Sequence, residues 1–514
     1  MKEKTKVSIY EPGVLALGII LAIFSAAICM QIMGMFGTAP NTSLIVGVLI
    51  MIIARIPLQV LKKYSDLERQ NYIMSIASAA GFSAANGAFI GIAMVFVMDR
   101  TDLVIPLSIG IASGSVISIF ATYKLFNSSI FPTSGSWPMA TAAATILKAG
   151  NEGGKKGKEL FTGILIGAIL NQFGLPATGI GIAFVANMVT MAAMGTGLII
   201  SGFSPYLFDF NVLETNIPAG LMIGAGIVAS IQIVTSISKK KSTKPESAEK
   251  KQDISRVSES SAKKSLVFSF ALFTVGAVIL AIITGVFSKM SNFASLIWIV
   301  YASIATVITM LLVGTASMHS GIAPSFAVVT LFLTIGMFLN FPPIALAMMV
   351  GYIGSVGMIF ADTGIGLKTG FLIRNGINEI HGRKQQTIIK MLGAIIGVLM
   401  AFLFGITIIE GDAIPPMSIF YANTVSKIVS PSVILELLIW VIPGAILQVV
   451  FGTKSVGLMV ATGLLIGNGM FGIFILVSLL VRLKFGTKYM TIRAPGLIAG
   501  DGIWGFTSIL WRLF

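Results

Sequence analysis

The sequence predicts an all-α polytopic membrane protein of two sequence-related halves, with roughly 12–16 transmembrane helices, some of them re-entrant or broken. Three observations predict it. Hydrophobic residues make up 55% of the 514 and charged residues 11%, more apolar surface than a water-soluble core could hide. Apolar runs recur near the ~20-residue length that crosses hydrocarbon. A block also repeats: Gly114 to Ala121 (GSVISIFA) matches Gly354 to Ala361 (GSVGMIFA) at six of eight positions. Lys148-Ala149-Gly150 likewise corresponds to Arg374-Asn375-Gly376, each followed by a charged loop and then by Gly167 or Gly393. A duplication therefore organises the chain, and the break between its matched blocks is where function is expected.

In chain order, the basic MKEKTK start is followed by a retained span at 13–36, then spans at 43–61, 72–98 and 103–125. Lys62, Lys63 and Arg69 follow the second span while 37–42 carries no charge, so the positive-inside rule places the N-terminus in the cytoplasm. Residues 130–147 hold two prolines, a glycine and several hydroxyls yet lead into Lys148 and Lys155 on the same side, as a re-entrant hairpin would. The apolar tract 159–200 is interrupted at Gly174-Leu175-Pro176, and 218–237 returns inside. This makes 1–238 an N-terminal transmembrane half and 239–264 a flexible, basic cytoplasmic linker. The C-terminal half, 265–514, repeats the order with spans at 265–287, 292–314, 315–340 and 343–362, a break at Asp362-Thr363-Gly364, and a basic loop at 374–384. Spans at 386–409, 433–451 and 455–481 and a terminal apolar segment complete it.

The charge of +15 lies largely in short tracts between apolar runs, which needs no nucleic-acid partner. One cysteine and two histidines exclude an internal disulfide and a Cys- or His-rich metal cluster, so no metal or other cofactor is expected. Neither GxxxxGK[ST] nor HExxH occurs, which removes ATP-driven transport within this chain and zinc proteolysis. No nucleophile with its base stands out, and the chain reads as a non-enzyme.

Charges within apolar, glycine-rich sequence carry the strongest functional signal, because an ion at the bilayer centre must pair, snorkel or face a cavity. These are Asp362, Lys368 and Asp501. Asp362 and Lys368 lie six residues apart in DTGIGLK, so they can pair only if the helix breaks between them. Such a pair either holds the break or works on a proton or a charged substrate. His319, among small hydroxyl and glycine residues before Pro324, could titrate near neutral pH or be a satisfied core histidine. Ser134, Gly135 and Trp137 offer donors and an aromatic face in the first break, with a packed turn as the alternative.

At these residues the chain resembles the oligopeptide transporter family, in particular its yellow-stripe-like branch and prokaryotic members. Ala361-Asp362 followed by Leu367-Lys368-Thr369-Gly370-Phe371 looks like the signature A-D-x4-[FL]-K-T-G-[FY]. Phe131-Pro132-Thr133-Ser134-Gly135 is similar to the aromatic-proline-serine-glycine segment, and Gly500-Asp501-Gly502-Ile503-Trp504 to G-D-G-x-W. Ile365-Gly366 stands where that family carries a Q-D pair. The resemblance implies a proton-coupled importer of small peptides or peptide-like amino-acid derivatives, or of metal chelates. A passive channel is the alternative that broken helices alone would permit. The expected site lies between the halves near the midplane. Ser134, Gly135, Trp137, His319, Asp362, Thr363, Lys368 and Trp504 would bind substrate there, and Asp362 or Asp501 would carry the proton. Expected partners are a small-molecule substrate, protons and the lipid of the cell membrane, with a homodimer left open.

Overall fold

The computed structural model describes residues 7–36, 42–55, 62–239, 256–411, 413–425, 431–451 and 456–513. Most of the expected linker, 240–255, lies outside the described residues, as does the N-terminal MKEKTK. The first half folds into α1 (Pro12–Phe36), α2 (Thr42–Ile53), α3 (Leu67–Phe82), α4 (Ile90–Val97), α5 (Val104–Leu125), α6 (Pro138–Glu152), α7 (Gly154–Gln172), α8 (Ala177–Val185), α9 (Met188–Leu207) and α10 (Ile217–Lys239). The second adds α11 (Glu259–Ile283), α12 (Asn292–Ser320), α13 (Ser325–Phe338), α14 (Pro343–Arg374), α15 (Glu379–Glu410), α16 (Pro416–Val425), α17 (Pro431–Phe451), α18 (Val456–Ile466), α19 (Gly469–Phe485) and α20 (Arg493–Leu513).

Among the described residues there is no β-strand, and eight helices are long and apolar enough to cross a membrane. The fold is an all-α, multi-pass membrane protein. Much of the remaining apolar sequence is divided among shorter helices such as α2, α13 and α18. Large side chains including Val267, Phe268, Phe293 and Leu296 point outward from α11 and α12, where lipid rather than water is the favourable neighbour.

Packing does not follow chain order. One group gathers α1, α3, α5, α12, α14 and α15; the other pairs α7 with α20, α9 with α18 and α19, and α10 with α17. Each of the pairs α3–α15, α5–α14, α7–α20 and α10–α17 takes one helix from either side of the linker. Small residues make the closest seams. Gly163 and Gly167 of α7 face Gly496 and Gly500 of α20 so tightly that a Cβ on Gly167 would press on the Leu497 carbonyl, and one on Gly500 on that of Ile164. Without a hydrophobic drive between helices in lipid, such backbone approach is what holds the pair.

The two matched blocks pack on each other. Gly114 of α5 lies against Tyr352 and Val356 of α14, and Ser118 Oγ donates to the Val356 carbonyl at 2.8 Å. Beyond that contact the copies differ. In the first copy a loop at 126–137 separates α5 from α6, whereas α14 runs unbroken for 32 residues. Lys148, near the end of α6, donates to the Leu372 carbonyl at 2.6 Å and so caps the last turn of α14.

Candidate functional site

A cavity of about 1010 Å³ lies between the two helix groups. Three chain interruptions meet in its wall: Gly174-Leu175-Pro176 before α8, Gly321-Ile322-Ala323 between α12 and α13, and Asn468 before α19. Gly174, Gly321 and Gly467 take positive φ values of 70°, 79° and 65°, which is how these helices stop so abruptly. Non-helical backbone at membrane depth must line a cavity or be buried in protein, and these segments line one. The long helix running from α3 into α4 contributes a π-helical stretch, Ser83–Phe89, whose Asn86 and Gly87 face the same space. Asn86 Nδ2 and Ser317 Oγ, both on wall residues, have no hydrogen-bond partner among the described residues. Six methionines, Met33, Met139, Met194, Met358, Met417 and Met470, supply much of the apolar lining. Among the described residues, no lysine, arginine or histidine belongs to the wall.

Asp362, Asp501 and Trp504 do line this cavity. The break expected at Asp362-Thr363-Gly364 is absent: all three lie inside α14. Six residues along an intact helix put Asp362 and Lys368 on different faces and about 9 Å apart along the axis, so they do not pair. Asp362 instead accepts from Ser78 Oγ of α3 and forms an ion pair with Lys390 of α15, both side chains of the pair being fully buried. The glycines have another purpose than breaking the helix. A Cβ on Gly366 would lie 2.4 Å from Lys390 Cε, and one on Gly364 would meet the Trp137 ring at 2.7 Å.

A buried polar ladder continues from this pair to the end of α14. Gln386 of α15 donates to the Gly366 carbonyl at 2.6 Å and to Ser75 Oγ at 2.9 Å. About two turns further along α14, Arg374 grips Glu379 with two bonds of 2.7 and 3.2 Å and donates to Glu68 at 3.0 Å. Glu68, Asn71, Ser75 and Ser78 recur at helical spacing on one face of α3, as Gln386 and Lys390 do on α15. Lys390 falls inside the span expected at 386–409 and is not singled out there; its helical spacing from Gln386 and Arg383, all three buried, was the available signal.

The interruption expected within 130–147 falls at 126–137, with 138–147 helical in α6, and the loop's residues support the site and do not line it. Trp137 has φ 39°, is buried, and donates from its backbone N–H to the Met318 carbonyl at 2.9 Å and from Nε1 to the Pro132 carbonyl at 2.9 Å. Gly135 closes a turn on the same Pro132 carbonyl, and the Ser134 side chain is exposed. Lys368 Nζ donates to the Thr133 carbonyl at 2.5 Å, tying α14 to this loop. His319, half-buried at the end of α12, gives its carbonyl to Asn187 N at 3.1 Å. Thr363 is fully buried. Ser134, Gly135, Trp137, His319, Thr363 and Lys368 are therefore outside the cavity wall, although Ser317 and Met139 beside them belong to it.

Asp501 lies on the opposite wall, in α20. Its carboxylate accepts from the backbone N–H of Thr178, in the first turn of α8, at 2.6 Å and from Asn171 Nδ2 of α7. A carboxylate there satisfies a free helical N–H and complements the positive end of the helix dipole. Trp504 follows one turn later on the same face.

A search of curated proteins finds no match. Residues 13–262 match the family model described as OPT oligopeptide transporter protein. The match runs from α1 into α11 and includes Asn171 and Thr178 of the cavity wall, while Asp362 and Asp501 lie beyond it. Over that stretch, just under half of the 514 residues, the chain is similar to the oligopeptide transporter family, whose members are transporters.

Proposed function

We propose that the protein is a proton-coupled secondary importer of small peptides or peptide-like amino-acid derivatives, working by alternating access in the cell membrane. The N-terminus and the linker 239–264 face the cytoplasm in this reading. The observation that carries it is one cavity, between two helix groups, with both intramembrane aspartates and three helix interruptions in its wall. A volume of about 1010 Å³ is at the upper end of sites that enclose drug-sized ligands. Movement of the two groups about the interrupted segments would open it to either side. Ser134, Gly135, Trp137, His319, Thr363 and Lys368 act here as supports for the wall.

Asp362 is suited to the coupling role because it borders the cavity while Lys390 lies behind it, away from the wall. With Asp362 ionised the pair is neutral, and an incoming substrate carboxylate meets a negative neighbour. A proton on Asp362 strips Lys390 of its counter-charge, at a cost on the order of 3–5 kcal/mol for a broken buried pair. A substrate carboxylate in the cavity restores the missing negative charge near Lys390. Proton and substrate then bind better together than apart, which is the requirement for symport. Asp501, whose partners Thr178 and Asn171 are neutral, is the other candidate carrier.

Liposomes carrying the protein and an inward proton gradient test this. Di- or tripeptide should accumulate above its outside concentration, and Asp362→Asn should abolish that accumulation while preserving membrane expression. Equilibration indifferent to the gradient makes the protein a passive facilitator; accumulation of metal chelates alone replaces the substrate class; coupling retained in Asp362→Asn removes the residue from that role.

A further inference from the structure

The charges around the cavity are unbalanced. Asp362 is matched by Lys390, but Asp501 is bonded to an amide and a backbone N–H, with no ion pair to it among the described residues. Among the described residues, no cationic side chain belongs to the wall. A carboxylate at a cavity surface that is bonded only to neutral donors keeps its net charge uncompensated in a low-dielectric setting, and so attracts a cation from the ligand.

Its surroundings narrow the kind of cation. Both groups bonded to Asp501 are donors, so they offer nothing to a metal ion, which would need six or more oxygen ligands in the case of calcium. What adjoins the carboxylate is Trp504, at i+3 on the same face of α20, and then Ser508 at i+7. A carboxylate next to an indole is the combination that recognises an organic ammonium or guanidinium, through charge and through the negative face of the ring. We propose that Asp501 and Trp504 hold the cationic group of the substrate, either a peptide amino terminus or a basic side chain. This rests on the cavity being the substrate site. It places the cation on the α20 wall, across from Asp362, and so gives a zwitterionic peptide one direction of binding.

The test is calorimetric titration of the full chain in lipid nanodiscs with trialanine, acetyl-trialanine and acetyl-Ala-Lys-Ala. Acetylation should weaken trialanine by about tenfold or more, as loss of a charge-assisted contact does. Recovery of affinity in acetyl-Ala-Lys-Ala identifies a side-chain cation as an accepted source; no recovery restricts the subsite to the amino terminus. In Asp501→Asn, which keeps an oxygen for the Thr178 N–H, the acetylation penalty should shrink to about threefold or less. Ser508→Lys, which adds a cation to the same face, should reverse the order and favour acetyl-trialanine. Equal binding of all three peptides to the wild type, or a full penalty retained in Asp501→Asn, overturns the assignment and leaves the cavity reading standing. Absence of binding by every peptide removes both.

Discussion

Lys390 holds its ammonium where no water reaches, and Asp362 is the negative charge beside it. Removing one member of such a pair strands the other, so Lys390→Met should destabilise the protein by about 3–5 kcal/mol in chemical unfolding. Adding Asp362→Leu to it should recover most of that loss, since an apolar pair of similar volume does not pay for desolvation. A destabilisation equal in the single and double variants would mean that packing, not charge, decides there. Glu11, ahead of α1, is a milder case. Arg69 binds it at 2.7 and 3.0 Å and holds its carboxyl below the usual 4.5. A lowered value in the folded state means that the pair's contribution is complete above 4.5 and is lost as pH falls through the lowered value. The pair is partly exposed, so this should amount to about 0.2–1 kcal/mol, and Glu11→Gln should remove that part of the acid-side loss in thermal scans.

At the scale of elements, α14 shows what glycine does inside a packed membrane helix. A β-branched side chain at Gly366 would collide with Lys390, so Gly366→Val should cost about 1–3 kcal/mol or displace the lysine. Gly505→Ala is the matching control: its Cβ would meet nothing within 4 Å, and the change should stay within about 0.5 kcal/mol. The same glycines explain where the sequence misleads. In DTGIGLKTG they read as a break, because glycine is costly in an isolated helix; the room they leave for Trp137, Lys390, Gln386 and Arg374 is a tertiary fact. The interruption at Gly174-Leu175-Pro176, with proline and glycine together, is legible locally and is present. Asp501 and Trp504 could be singled out because a charge and an indole in apolar sequence are conspicuous. Asn171 and Ser317 could not, since what distinguishes them is the helix that packs opposite.

For the whole molecule, membership of the membrane was written in composition, whereas the division into two helix groups was not. Hydropathy identifies what must leave water and is silent on which helix pairs with which, because lipid tails and leucine side chains are equivalent neighbours. The partner choice lies in small residues such as Gly163, Gly167, Gly496 and Gly500, whose meaning needs both helices at once. Gly167→Leu should therefore part α7 from α20 and lower the yield of folded protein in fluorescence-detected gel filtration. The match between the two copies has a longer consequence. One is a single rod, and the other carries the loop whose Thr133 carbonyl receives Lys368 of the rod. Restoring symmetry by closing the loop would leave that lysine without its acceptor, and removing the lysine would unfasten the loop. Loop and lysine are thus interlocked, and a change to either one is felt by the other.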